Sequence, residues 1–222
     1  MTAMSGKGGI AVRQRLTRDE RRARILDAAS QVFADRGYDG ASIEEIADAA
    51  GITRPVIYDH FASKRDLHVL LLELHMEQLL EFMGERVASE DSSEARLEAG
   101  MRAFFEFVET HPYAWRILFR DPTPADEEIV EAHQRVNGRV SEALVAMISV
   151  APIAAQPTDS VDREVAWAMW AQIMKNAAHG LAFWWYEHRE VPREELVSVT
   201  MNALWVGFER FQEGERWISR ND

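Results

Sequence analysis

The stretch that most constrains how this chain folds is SIEEIADAAGITRPVIYDHF, Ser42–Phe61. Ser42 suits a helix N-cap, and Glu45 three residues later completes a capping box, in which each side chain satisfies a backbone N–H of the other residue. Ile43, Ile46, Ala47 and Ala50 fall at helical spacing, so the helix they open has one apolar face. Ala47 is small where a second helix must cross closely, and Gly51 accepts the positive φ of a tight turn. Thr53 is placed to cap the next helix. Pro55 is tolerated there because first-turn N–H groups have no intrahelical partner. Val56, Ile57 and Phe61 then turn inward and leave Arg54, Tyr58 and His60 outside. The spacing predicts two short helices held at a fixed angle, a helix-turn-helix.

The flanking sequence extends this unit. Ile25, Leu26, Ala29, Val32 and Phe33 recur at helical spacing between Arg18 and Arg36, and Gly37 supplies a stop. A further helix begins near Ser63 and runs through LHVLLLELHMEQLLEFM, long enough to connect two domains. Helices are expected over Glu94–Glu109, Tyr113–Arg120, Asp126–Ser149, Asp162–Glu187 and Arg193–Gln212, with prolines between them. Alternating strand signals are nearly absent. The expected fold is all-α. A flexible basic arm (1–17) precedes a three-helix helix-turn-helix domain (18–62), and a larger helical domain (63–222) follows.

A formal net charge of −12 argues at first against contact with a polyanion. The charge is unevenly divided, however. Residues 1–68 hold 11 basic and 10 acidic side chains, and the first 24 residues hold 7 and 2. The remainder carries 14 basic and 27 acidic, which suits a head that touches nucleic acid and a body that stays away from it. There is no cysteine, so disulfides and thiolate metal sites are excluded. No apolar run reaches the roughly 18 residues of a membrane span, and the N-terminus lacks an apolar leader core. The expectation is a cytoplasmic protein without a membrane partner. His179, Glu187 and His188 are too far off a common helical face to suggest a metal site. With no nucleophile elbow, zinc-protease or phosphate-loop motif, neither an enzyme nor a cofactor is expected.

A recognition helix enters the major groove N-terminus first, so its first turn meets base edges. Arg54 suits bidentate pairing with guanine, and Thr53 reaches a base or a phosphate. Ser42, Tyr58, His60 and Lys64 are placed for phosphates, which set register rather than sequence choice. The partner these residues predict is double-stranded DNA. From the residues alone a helical enzyme or carrier unrelated to DNA remains the rival.

The run from Arg21 to Glu73 resembles the N-terminal domain of the TetR (tetracycline-repressor) family. The resemblance rests on ILDAA, RGY, the S-I-x-x-I-A-x-x-A-G pattern, Ile-Tyr-x-His-Phe and the following Ser-Lys-x-x-Leu. The position after Arg54 is often glycine in that family. Pro55 removes a backbone donor there, so a main-chain phosphate contact does not carry over.

The resemblance implies a homodimer on a palindromic operator. The C-terminal domain would pair through its last two long helices, here Asp162–Glu187 and Arg193–Gln212, and enclose a small-molecule pocket. An apolar effector would then release a repressor; a regulator of the same fold without an inducer, or an activator, stays open. Phe104, Trp115, Phe119, Trp170, Met174 and Phe183 are the candidate apolar lining, together with Phe105 and Ala178. His179, Asn176 or His111 would orient the ligand. Phe183–Tyr186 places four consecutive aromatics around every side of one helix, so some must face a partner or a cavity.

Overall fold

A computed structural model describes residues 16–120, 126–148 and 161–213. The expected arm over residues 1–17 lies outside them except for Leu16 and Thr17. The described residues are helical, without a strand: α1 (Arg18–Gly40), α2 (Ile43–Ala50), α3 (Arg54–Tyr58), α4 (Lys64–Val87), α5 (Ser93–Thr110), α6 (Pro112–Phe119), α7 (Glu127–Ile148), α8 (Arg163–Glu187) and α9 (Arg193–Gln212). Regular helix in α1 breaks at Gly37, whose φ of 72° is open to glycine and costly for other residues. The Ser42–Glu45 capping box opens α2, and Gly51 closes it in the left-handed region with φ 63°.

Ile25, Ala29 and Phe33 of α1 are buried with Ile46, Ala47 and Ala50 of α2 and with Ile57 and Phe61 beyond. Each large aliphatic side chain buried in this way stabilises by about 1.5–3 kcal/mol relative to exposure. The same α1 packs on α6 and α4, while α4 runs beside α5 and α7, and α5 lies against α9. The apolar cluster is therefore continuous from Ile25 at one end to Phe208 at the other. No helix among the described residues is long and apolar enough to cross a membrane.

The last two long helices are two-faced. On α8, Trp167, Met174 and Trp185 are buried, whereas Val165, Met169 and Ile173 are exposed. On α9, Leu196, Leu204 and Phe208 are buried and Val199 and Val206 exposed. The Phe183–Tyr186 run divides in the same way. Trp185 is buried and donates its indole N–H to the Val191 carbonyl at 2.8 Å, while Phe183, Trp184 and Tyr186 are exposed.

Candidate functional site

α3 is five residues long, and Ile57 anchors it in the core while Arg54 and Tyr58 stay on the surface. Arg54 is held from two sides. Its guanidinium pairs with Glu44 of α2 and lies over the Tyr58 ring, 5.6 Å from the centroid. The contacts with Tyr58 and Glu44, in that order, raise its already high pKa, so it is a permanent cation. Thr53 stands at the N-cap position with an extended backbone, but its hydroxyl makes no capping bond, contrary to expectation. Pro55 has no N–H to offer, and the Val56 N–H donates to the Thr53 carbonyl instead, at 3.0 Å. The hydroxyl is left for another acceptor or donor.

His60 is half-buried, 6.3 Å from Phe61 between ring centroids. Ser42 is engaged in its capping box, with Glu45 accepting from both its N–H and its hydroxyl at 3.0 Å. Lys64 is turned inward. Its ammonium donates to the Tyr38 and Ala41 carbonyls at 2.9 and 3.0 Å and sits 4.4 Å from the Tyr38 ring centroid. These bonds tie the first turn of α4 to the bend between α1 and α2.

The far half of α4 forms a wall of an apolar cavity of about 140 Å³. Leu79, Leu80, Met83, Gly84 and Val87 face Met101 and Phe104 of α5, Phe119 of α6, and Val140, Ala143 and Leu144 of α7. Lys175, Ala178 and His179 of α8 complete it. Of the lining expected from sequence, Phe104, Phe119, Ala178 and His179 are brought together here. Trp115, Trp170, Met174 and Phe183 stand elsewhere. Trp115 packs edge-on against Phe183 at 4.9 Å, Trp170 against Phe208 at 5.5 Å, and Met174 is fully buried. Phe105 is also fully buried and meets Trp185 edge-on, while His111 stacks on Phe107 at 4.5 Å. Aromatics at helical spacing fill the core first, and the cavity falls where smaller side chains leave room. Sequence reading missed the α4 and α7 contributions and Lys175; a lysine inside an apolar run was the available signal.

His179 is wedged against Phe119, 3.9 Å between centroids, and burial followed by the charge of Lys175 pushes its pKa down to about 3. It is a neutral imidazole near pH 7. Among the described residues no group of three or more metal-binding side chains assembles.

A surface-exposed short helix set against a capping-box helix, joined by one long helix to a cavity-bearing bundle, is the architecture of a helix-turn-helix DNA-binding protein. Comparison with known proteins names the family. Residues 25–69 match the family described as bacterial regulatory proteins, tetR family, and residues 93–207 match the tetracyclin repressor-like C-terminal domain. The chain belongs to the TetR family of transcriptional regulators. It is 28% identical to the HTH-type transcriptional activator FasR of Mycolicibacterium smegmatis over 200 residues, 90% of this chain and 88% of that protein. Among solved structures, AibR in complex with isovaleryl coenzyme A and operator DNA superposes with a TM-score of 0.68 at 22% identity, covering 83% of this chain and 98% of that one. FadR of Bacillus subtilis in complex with stearoyl-CoA also superposes with a TM-score of 0.68, at 18% identity, covering 87% and 99%.

Proposed function

We propose that this chain is a homodimeric cytoplasmic regulator that binds a palindromic operator and releases it when an apolar effector enters the cavity between α4, α5, α7 and α8. The observation that carries the DNA half is the outward presentation of Thr53 and, on α3, of Arg54 and Tyr58 while Ile57 is fully buried. Thr53 and Arg54 meet base edges; Tyr58, His60 and the Ser42 end of α2 meet phosphates. Lys64 serves chiefly by holding α4 to the head, since two of its donors are spent on the Tyr38 and Ala41 carbonyls. Two such heads related by a twofold axis read half-sites about one helical turn apart.

The effector half rests on α4, which touches the head at Lys64 and lines the cavity from Leu79 to Val87. A cavity of about 140 Å³ takes a group near the size of benzene. Short or branched acyl groups therefore fit it directly, and longer chains must open it. An effector reverses occupancy from 1:99 to 99:1 only by preferring the DNA-incompetent arrangement by about 5.5 kcal/mol.

The test is fluorescence anisotropy on genomic fragments recovered with the protein. Binding should weaken steeply with salt, and Arg54→Ala/Tyr58→Ala should abolish the preference for the recovered site. A double variant that keeps the wild-type affinity and preference for the recovered site, or binding without a salt slope, would sink the reading. Repression is the expected consequence of occupying a promoter. FasR, named an activator, favours the opposite sign as a second reading. A reporter driven from the recovered site separates the two.

A further inference from the structure

The apolar cavity does not end at Phe119. Phe119, Lys175 and His179 also line a neighbouring cavity of about 290 Å³, whose other walls include Arg120, His133, Asn137, Gln172 and Asn176. Among the described residues no carboxylate lines either one. The boundary between the apolar and polar spaces is thus marked by a lysine and a neutral histidine.

Lys175 is only 7% exposed. Its ammonium donates to Ser141 Oγ at 3.0 Å, and that hydroxyl donates in turn to the Asn137 carbonyl at 3.1 Å. Among the described residues no acid pairs with Lys175; its pKa is lowered, and burial is the cause. A buried ammonium with one hydrogen bond and no counter-charge is costly unless something else supplies the charge. On the far side of the polar cavity Arg120 donates to the Ala34 carbonyl of α1 at 3.3 Å, so the space adjoins the helix that carries the reading head.

We propose that the polar cavity between α6, α7 and α8 is an anion site for the head group of an amphiphilic effector, with Lys175 as its counter-charge and the apolar cavity holding the tail. This rests on the reading of the apolar cavity as the effector site. The ligand class is an alkyl chain whose polar end carries an anionic oxygen group: a free fatty acid carries it as a carboxylate directly on the chain, and an acyl-CoA as phosphates a pantetheine arm beyond its neutral thioester. An alcohol of the same chain length offers the tail without the charge.

Calorimetric titration of the full chain with decanoate, decanol and decanoyl-CoA tests it. Wild type should bind decanoate or decanoyl-CoA at least about tenfold tighter than decanol. Lys175→Met should remove that preference by weakening the anionic ligand and sparing decanol; whichever anionic ligand loses affinity identifies the source of the charge. Asn176→Asp, which puts an acid in the same cavity and keeps Lys175, should weaken the anionic ligand as well and serves if Lys175→Met does not melt cooperatively. Equal losses for decanol and the anionic ligands, or no loss for any, would overturn the anion site. Gly84→Leu reports on the tail: an added Cβ at Gly84 meets nothing within 4 Å, so a larger side chain enters open space. If Gly84→Leu leaves all three affinities intact, the effector-cavity reading fails. If it weakens them while Lys175→Met spares decanoate and decanoyl-CoA, only the anion site fails.

Discussion

At Arg54 the group best suited to read a base is restrained by the helix it packs beside. Glu44 pairs with it at the surface, where an ion pair is weak and screened by salt. That pair must break or be shared when DNA arrives. Glu44→Gln is therefore expected to raise operator affinity by about two- to fivefold at low salt, with the gain shrinking as salt rises; anisotropy titrations at two ionic strengths measure it. His68 poses a different question. It is 3% exposed, its ring neighbours are Phe33, Tyr38 and His133, and among the described residues neither of its ring nitrogens has a hydrogen-bond partner. Burial first, then the charges of His133 and Lys64, push its pKa down to about 3 from an ordinary 6.5. The unfolded chain thus takes up a proton that the folded chain refuses. The stability that a neutral, buried His68 contributes is complete above about pH 6.5 and is lost as pH falls toward 3. His68→Phe, close in shape, should flatten that slope, as read from urea midpoints at pH 7.5 and 4.5; an unchanged slope would mean that His68 titrates alike in both states.

Among the elements, the glycine that closes α2 and one inside α4 should respond to alanine in opposite directions. Gly51 has φ 63°, and a Cβ there would also meet the Arg24 guanidinium at 3.1 Å. Gly51→Ala is expected to cost about 1–2 kcal/mol and to loosen the turn that aims α3. Gly84 sits inside helical α4 with open space around its missing Cβ, so Gly84→Ala is expected to stabilise by about 0.5–1 kcal/mol. Denaturant unfolding of the two variants side by side checks both signs. Most helix positions were legible, since caps and apolar spacing are local: α5 was expected over Glu94–Glu109 and spans Ser93–Thr110, and α6 over Tyr113–Arg120 and spans Pro112–Phe119. Thr53 shows where local logic failed, because a capping residue needs a donor and Pro55 had removed one.

On the scale of the whole molecule, α8 and α9 leave Val165, Met169, Ile173, Val199 and Val206 on the surface after their opposite faces are buried. A twofold pairing of these helices would cover such a face. If this face is the seam of the proposed dimer, Ile173→Glu should give monomers in sedimentation experiments. Loss of bivalent engagement should then weaken operator binding by about a hundredfold. A variant that stays dimeric and binds normally would place the interface elsewhere.

The reading head was determined by the sequence alone. A capping box, a turn glycine and apolar residues at helical spacing act within a few residues of chain, so their consequences can be read in order. The cavity was decided only in three dimensions. Whether Phe104 lines a space or Trp115 fills one depends on which side chains arrive from α4 and α7, far away in sequence, and on how much volume they leave. Lys175 belongs to the same class: its spacing on α8 says nothing of charge until packing has removed water and left one hydroxyl beside it.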